Sequence, residues 1–304
     1  MDELKNPFVP GAGIQPPELS GRDEFLRQAD MTIRRTTCGR FGKSFIAVGL
    51  RGVGKTVVLN RVKSISDALS CKSALMEIHE EKELATLIVP CIRKILLELD
   101  RIGDISEKVK MALRALKSFI GTIRLSYEGF EIGLNVDPQV GTADSGDLEV
   151  DLPDLFTSVG EAAKARAVVI VLILDEIQYL SEKEMSALVM SMHRVAQSQL
   201  PIVLIGAGLP LLVGKMGESK SYAERLFTFP MIGALSYADA CSAINTPATR
   251  EGVRFTDEAL SRIFQLTQGY PYFIQEWGYV CWNISSDPTI KLNDVENATP
   301  QVIE

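Results

Sequence analysis

The residues between Ser44 and Thr56 have the types and spacing of a phosphate-binding loop. An apolar segment at 45–48 is followed by Gly49-Leu50-Arg51-Gly52-Val53-Gly54-Lys55-Thr56. Glycines let the backbone curl so that successive N–H groups point at phosphate oxygens; the lysine adds charge near the β- and γ-phosphates, and the hydroxyl binds Mg²⁺. The residues expected to contact nucleotide here are Gly49, Arg51, Gly52, Val53, Gly54, Lys55, Thr56 and Val57, with Thr56 as a metal ligand and Lys55 also catalytic.

Two acids, Asp175 and Glu176, follow seven branched aliphatic residues at 168–174. Such a run is typical of a strand buried on both faces of a parallel sheet, and ligands bind at the carboxyl ends of these strands. Because Mg²⁺ prefers hard oxygen ligands, we expect Asp175 to bind it directly or through water. Glu176 would polarise the water that attacks the γ-phosphate. The alternative is an acid pair that merely ends a strand, but the loop upstream favours one Mg²⁺-nucleotide site formed by both motifs.

Strand and helix patterns alternate around these motifs, which indicates a parallel α/β sheet. Strands are expected at 45–48, 73–78, 168–174, 202–205 and 227–232, and helices from about 55 and at about 84–99, 106–119, 153–164 and 182–199. Right-handed crossovers between these strands would give a three-layer αβα core with a five-stranded parallel sheet, the fold class of a P-loop NTPase.

Other segments complete the expected organisation. Period-two alternation predicts a β-hairpin at 123–136, an acidic loop follows at 137–151, and the proline- and glycine-rich stretch 6–17 predicts an extended arm. Helical patterns at about 236–245, 256–267 and 270–285 indicate a small all-α lid. The expected boundaries are therefore a nucleotide-binding core at 1–232, a lid at 233–285, and a linker at 286–304 toward a further domain.

Composition excludes several classes of protein. The chain has 304 residues, 46% of them apolar, and a formal charge of −7, which argues against general attraction to nucleic acid. Its longest apolar run, 167–174, is too short to cross a bilayer, and the amino terminus lacks the pattern of a signal peptide. We therefore expect a cytoplasmic protein. The five cysteines never form a C-x-x-C pair, and Cys71, Cys91, Cys241 and Cys281 are expected in the core.

The phosphate loop, the acid-tipped strand, the Gly21-Arg22-Asp23-Glu24 segment and the helical lid together make the chain resemble the AAA+ ATPases. Within them it is most similar to the branch that joins origin-recognition initiator ATPases to archaeal-type and signal-transduction NTPases. The resemblance covers about Pro7 to Trp282. It implies ATP or ADP with Mg²⁺ as cofactors, and ATP hydrolysis coupled to rearrangement of the lid or of an oligomer.

The resemblance also implies roles for residues outside the two motifs. In that family the loop before the first helix cradles adenine, which implicates Leu19, Gly21 and Arg22, although a plain helix cap is the alternative. The lid segment Gly269-Tyr270-Pro271 resembles the Gly-x-Pro turn of signal-transduction NTPases, whose proline packs on the base, and this implicates Pro271 in binding the base. Arg225, just before the last expected strand, corresponds to an arginine finger that would reach a neighbouring subunit in a homo-oligomer. An ordinary surface partner such as Glu224 is the alternative for Arg225.

Two departures from the family pattern leave the function open. Initiators carry a polar residue at the tip of the fourth strand, where this chain has Gly206-Ala207-Gly208, and a lid arginine where it has Gly269-Tyr270-Pro271. Both departures weaken the case for fast hydrolysis more than the case for binding. One hypothesis is an ATPase. The other is a nucleotide-gated switch with negligible turnover, whose partner is a protein or DNA reached through a C-terminal winged helix outside this chain.

Overall fold

Two structural units account for the chain in the computed structural model, which describes residues 1–11, 13–100, 106–122, 137–219 and 223–303. The sheet unit comprises Arg27–Val48 and Leu59–Pro230. The terminal unit comprises Met1–Leu26, Gly49–Val58 and Met231–Glu304. The β-hairpin expected at 123–136 lies outside the described residues.

The sheet unit contains four parallel strands, β1 (Phe45–Val48), β2 (Lys72–Glu77), β3 (Ile170–Asp175) and β4 (Ile202–Gly208), in the order β1-β4-β3-β2. Every residue of β3 and β4 is buried, as their aliphatic composition predicts. β4 extends to Gly208, three residues beyond the predicted end at 205, because the glycines there pair with β1.

The fifth predicted strand, 227–232, is present as a short parallel segment beside β1. The N–H groups of Ile46 and Val48 donate to the carbonyls of Thr228 and Pro230, both at 2.9 Å. Pro230 has no N–H to return a bond to β1, so the ladder stops at one isolated bridge instead of forming a regular strand. The parallel α/β fold expected from the sequence is otherwise confirmed.

Eight helices are described in this first part of the chain: α1 (Asp23–Thr37), α2 (Lys55–Ala68), α3 (Leu84–Asp100), α4 (Glu107–Thr122), α5 (Leu148–Ala165), α6 (Glu182–Gln197), α7 (Leu212–Ser219) and α8 (Ala223–Leu226). α5 begins about one turn before the predicted start at Pro153. The reason is the side chain of Asp147, which caps the helix by accepting from the N–H of Glu149 at 3.2 Å. The acidic loop is correspondingly shorter than predicted.

The terminal unit contains α9 (Tyr237–Arg250), β5 (Arg254–Phe255), α10 (Asp257–Thr267), α11 (Pro271–Ile284), β6 (Thr289–Ile290) and α12 (Leu292–Ile303). The all-α expectation misses β5 and β6, which form a two-stranded parallel pair. The predicted linker at 286–304 is wrong as well. It forms β6 and α12, whose Ile290, Val295 and Ala298 are completely buried in the core of this unit. Burial of these side chains makes the segment part of the folded unit.

The N-terminal arm begins with a 3₁₀ turn at Glu3–Lys5, and its residues Asn6 and Phe8 contact α11. The ring of Phe8 is 2% exposed and lies over Gly278, where an added Cβ would be 2.6 Å from Cδ1 of the ring. The amide of Asn6 donates to Asn283 Oδ1 at 2.8 Å and to the carbonyl of Tyr279 at 3.1 Å. The arm is therefore an integral part of the terminal unit.

The cysteines are all free thiols. Cys71 and Cys281 are buried as predicted, Cys91 and Cys241 are half-buried, and Cys38 is exposed. Within the described ranges, no helix has the length and apolar character needed to cross a membrane.

Candidate functional site

The loop at 49–54 joins β1 to α2, which is the strand–loop–helix context that the sequence predicts. Gly52 and Gly54 have φ angles of +78° and +88°, a backbone region that L-residues with a Cβ rarely adopt. Gly49 is required for a different reason, since a Cβ there would overlap the carbonyl oxygen of Ile232. The first N–H groups of a helix such as α2 have no intrahelical acceptor and favour an anion. The loop thus has a backbone suited to phosphate.

Lys55, the first residue of α2, is 5% exposed, and its Nζ donates to the carbonyl of Leu50 at 3.0 Å. The ammonium group therefore lies over the loop's own backbone. Thr56 is half-buried and faces Gly13 of the arm, where an added Cβ would be 3.5 Å from Thr56 Cγ2. Val57 is buried and Arg51 is exposed. These residues fit a bound triphosphate because lysine supplies the charge and threonine supplies a hydroxyl ligand for Mg²⁺.

Arg22 braces the loop. Its guanidinium donates to the carbonyls of Gly21 and Val53, both at 3.1 Å, and of Gly233 at 2.6 Å. Arg22 is 8% exposed. Burial lowers its pKa from the usual value, and the nearby charge of Asp239 opposes that shift. The sequence predicts an adenine contact for Arg22, whereas the structure directs its guanidinium at the backbone on both sides of the loop. The other residues predicted to contact adenine, Leu19 and Gly21, are half-buried.

The turn between α10 and α11 lies against the same loop. Gln268 and Gly269 have positive φ angles, and the carbonyl of Gly269 accepts from the N–H of Leu235 at 2.8 Å. Pro271 opens α11 and is half-buried. A Cβ at Gly52 would lie 3.3 Å from Cε1 of Tyr270. The sequence predicts a role only for Pro271 of this turn, although Tyr270 belongs to the same motif.

Asp175 and Glu176 belong to the sheet unit, at the carboxyl end of β3 between β2 and β4. Asp175 is 3% exposed. Glu176 is half-buried and adopts a left-handed conformation, with φ 54° and ψ 38°, while its N–H donates to Asp175 Oδ1 at 2.9 Å. This backbone region is unusual for a residue with a Cβ and fixes the direction in which the Glu176 side chain leaves the strand.

Gln178 is the residue in this region that sequence reasoning missed. Its side-chain amide donates to Glu176 Oε2, and its Oε1 accepts from the N–H of Leu209, just after β4, at 3.1 Å. Lys215 Nζ donates to the Gln178 backbone carbonyl at 3.1 Å. Gln178 is 5% exposed. The sequence feature that could have identified Gln178 is its polar side chain, which lies in an apolar stretch directly after the acid pair.

Arg225 lies on α8 and is exposed. Within the described ranges it makes no ion pair, and its sequence neighbour Glu224 is exposed as well. The ordinary surface partner considered for Arg225 is therefore not seen in this part of the chain.

The parallel sheet, the strand–loop–helix and the acid pair are the features of a P-loop NTPase. A family model described as an AAA ATPase domain matches residues 18–205, more than half of the chain. The chain therefore belongs to the AAA ATPase domain family, whose members generally use ATP or ADP with Mg²⁺.

Solved structures with a similar fold include the Orc1 protein of Aeropyrum pernix in complex with DNA, at 14% identity and a TM-score of 0.53, over 94% of this chain and 66% of that one. Cdc6p from Pyrobaculum aerophilum is 15% identical, with a TM-score of 0.55 over 99% and 71%. The RuvB Holliday junction branch migration motor of Thermotoga maritima is 12% identical, with a TM-score of 0.50 over 93% and 70%. The chain thus spans about two thirds of the Orc1 structure, and these likenesses concern the fold. A comparison with curated proteins gave no match.

Proposed function

We propose that this chain is an ATPase that binds ATP with Mg²⁺ and hydrolyses it to ADP and phosphate. The observation that carries the proposal is the glycine loop before α2, with left-handed Gly52 and Gly54 and a buried Lys55, in a chain of the AAA ATPase domain family. A buried lysine whose hydrogen-bond partner is a backbone carbonyl is costly to keep unless it serves a ligand. A triphosphate is the ligand that suits this charge.

The residues have separate roles in this proposal. Gly49, Arg51, Gly52, Val53, Gly54 and Val57 supply the loop backbone and its walls, and Lys55 neutralises charge on the β- and γ-phosphates. Thr56 and Asp175 bind Mg²⁺, which when bound offsets charge that develops on the phosphates. Glu176 orients and polarises water. Pro271 and Leu19 contact the base, and Arg22 holds the loop to which the nucleotide binds.

The test of this function is steady-state phosphate release by the purified chain, compared with the Glu176→Gln variant. The variant is isosteric and keeps a hydrogen-bonding side chain but cannot act as a base. We expect it to bind ATP as the wild type does and to lose turnover by roughly 100-fold or more, the usual contribution of a positioned general base. Equal rates for the two proteins would refute the role of Glu176.

A nucleotide-gated switch with negligible turnover is the second candidate. It is favoured by the glycines at the end of β4 and by the Tyr270 ring, which lies against Gly52 of the phosphate loop. In this case nucleotide binding would move the α10–α11 turn with little hydrolysis. The two candidates differ in one readout: a tightly bound nucleotide recovered from denatured protein, together with no phosphate release above the Glu176→Gln level, identifies the switch.

We further propose that Arg225 acts between copies of the chain. Its exposure and its lack of an ion pair among the described residues support a role as an arginine finger that completes the site of a neighbouring subunit. Mixing an Arg225→Ala variant with Glu176→Gln tests this, because each variant supplies what the other lacks. Recovery of ATP turnover in the mixture is the expected result, and no recovery at any protein concentration contradicts it.

DNA is a third partner to consider, since the similar Orc1 protein was solved in complex with DNA. The net charge of −7 argues that this chain alone does not bind DNA at physiological salt. Our proposal is that these 304 residues do not bind DNA by themselves. A gel shift by the 304-residue chain at physiological salt would contradict this proposal.

A further inference from the structure

The end of β4 lacks a polar side chain, yet a polar group is present beside it. β4 closes with Gly206, Ala207 and Gly208, none of which can orient water. The side chain of Gln178, which comes from the 3₁₀ turn Ile177–Tyr179 after β3, reaches this place and accepts from the N–H of Leu209 at 3.1 Å. A polar group is therefore supplied to the β4 end from the neighbouring strand.

Both ends of the Gln178 amide are engaged. The Nε2 group donates to Glu176 Oε2, while Oε1 accepts from Leu209. Because an amide is planar, a bond at each end fixes its orientation, and the side chain is 5% exposed, so water does not compete at most of its surface. Lys215 adds a bond to the Gln178 backbone carbonyl at 3.1 Å. The amide thus connects the β4 end to the carboxylate of Glu176.

The glycine at the end of β4 fits this arrangement. A Cβ at Gly208 would lie 3.0 Å from Gln178 Oε1 and 2.7 Å from Leu212 Cδ2. Any larger residue would therefore push the amide away from Leu209. The absence of a side chain at Gly208, which from sequence counts against hydrolysis, is what makes room for the Gln178 amide.

Glu176 needs such a support. Its backbone is left-handed, a conformation that persists only where surrounding contacts hold it. A hydrogen bond from a neutral donor to an ionised carboxylate is about twice as strong as one between neutral groups. The bond uses Oε2, and Oε1 is the remaining oxygen through which Glu176 can accept a proton from water.

We propose that Gln178 is a positioning residue for Glu176: it holds the carboxylate in the orientation for activating water and takes the part of the polar residue absent from the end of β4. This inference rests on the proposed ATPase function. Because Gln178 acts through Glu176, its loss should slow the chemical step without changing nucleotide affinity.

The test compares the kinetics of wild type, Gln178→Met, Gln178→Glu, Glu176→Gln and the double variant Gln178→Met/Glu176→Gln. Methionine keeps the length of the side chain but neither hydrogen bond. Glutamate when ionised keeps the acceptor for Leu209 but cannot donate to Glu176. Gln197→Met, an exposed glutamine at the end of α6, is the matched control. ATP affinity, KM and kcat are measured for each, and thermal melting verifies folding.

We expect both Gln178 variants to lose kcat by about 10-fold to 100-fold, the range for a hydrogen bond to a charged group, with ATP affinity within about twofold of wild type. The double variant should turn over no more slowly than Glu176→Gln alone, because the two residues act through one carboxylate. The control should keep wild-type values.

Several results would overturn the inference. An unchanged kcat in Gln178→Met would show that the Gln178 amide does not position the Glu176 carboxylate. An increased kcat would show that the amide holds the carboxylate in an inactive orientation. A loss in Gln178→Met but not in Gln178→Glu would assign Gln178 a purely structural role at Leu209. If wild type turns over and Glu176→Gln does not, any of these results refutes only the positioning role. If wild type releases no phosphate above background, the ATPase function fails. If it turns over at the rate of Glu176→Gln, the role of Glu176 fails. In both cases the inference about Gln178 fails as well.

Discussion

Replacing Arg22 by methionine distinguishes two roles for its guanidinium: stabilising the phosphate loop, as its hydrogen bonds indicate, and contacting adenine, as the sequence predicts. The guanidinium serves the carbonyls of Val53 and Gly233, besides that of Gly21, and is 8% exposed. Bonds to a charged group contribute about 1.5–3 kcal/mol each, and desolvation of the arginine offsets part of this. We expect a net loss of about 3 kcal/mol in the free energy of unfolding of the terminal unit. With a urea m value of about 2 kcal/mol per M, the midpoint falls by about 1.5 M.

Tryptophan fluorescence during urea unfolding measures this effect in the correct unit. The chain has two tryptophans, Trp277 and Trp282, and both are buried in α11 of the terminal unit. The matched control is Arg254→Met, an exposed arginine on β5, which should change stability by no more than about 0.5 kcal/mol. If Arg22→Met unfolds at the wild-type midpoint but loses ATP affinity, the stabilising role of Arg22 is refuted and direct contact with adenine is supported.

Three further predictions concern stability and reactivity. Gly278→Ala should destabilise the terminal unit by about 1–3 kcal/mol, because the added methyl group overlaps the ring of Phe8. Gly214→Ala, on α7 where no atom lies near the added methyl group, should instead stabilise the protein by about 0.5–1 kcal/mol. Urea unfolding measures both changes. Asp151→Asn should cost about 2–3 kcal/mol, since its fully buried carboxylate accepts three hydrogen bonds from residues 145 and 146; unchanged stability would contradict this. Burial raises the pKa of the Cys281 thiol to about 12. The stability contributed by the neutral thiol is therefore fully present below the pKa of the unfolded thiol, about 8.5, and is lost as the pH rises toward 12. A thiol reagent should label the exposed Cys38 first and the buried Cys281 only on unfolding.

The phosphate loop and the acid-tipped strand could be predicted from sequence because each is local. The spacing of Gly52, Gly54 and Lys55 needs no distant residue to be recognised, and seven consecutive aliphatic residues before Asp175 describe a buried strand by themselves. The structure places both in the expected strand and loop context. Local pattern also predicted α2 to α6 and α9 to α11 to within a few residues at most ends, whereas α7, α8 and α12 were not predicted.

The missed features depend on contacts between residues far apart in the chain. β5 and β6 are two residues each, too short for a periodic signal, and form because Arg254 and Phe255 pair with Thr289 and Ile290. α12 has few large apolar residues, so its burial becomes visible only when α10 and α11 pack beside it. Propensity alone does not identify such elements, since tertiary packing decides them.

The same reasoning explains the errors in the candidate site. Sequence predicts that Arg22 is near the nucleotide, but its bonds to Val53 and Gly233 require the fold. Gln178 was overlooked because its partner Leu209 lies beyond β4, and the glycines of β4 appeared as a deficit when they were read alone. A side chain supplied from one strand to the end of another is a property of the sheet order, which the sequence does not state.

The central claim is that the loop around Lys55 binds ATP with Mg²⁺. Titration calorimetry of Mg²⁺-ATP into wild type, Lys55→Met and the exposed-lysine control Lys82→Met tests it most directly. A charge about 4 Å from phosphate at an effective dielectric constant near 20 contributes about 4 kcal/mol, so we predict binding by wild type and control, and a loss of at least about 100-fold for Lys55→Met. Absence of heat with folded wild-type protein, or equal affinity in Lys55→Met, would contradict the claim.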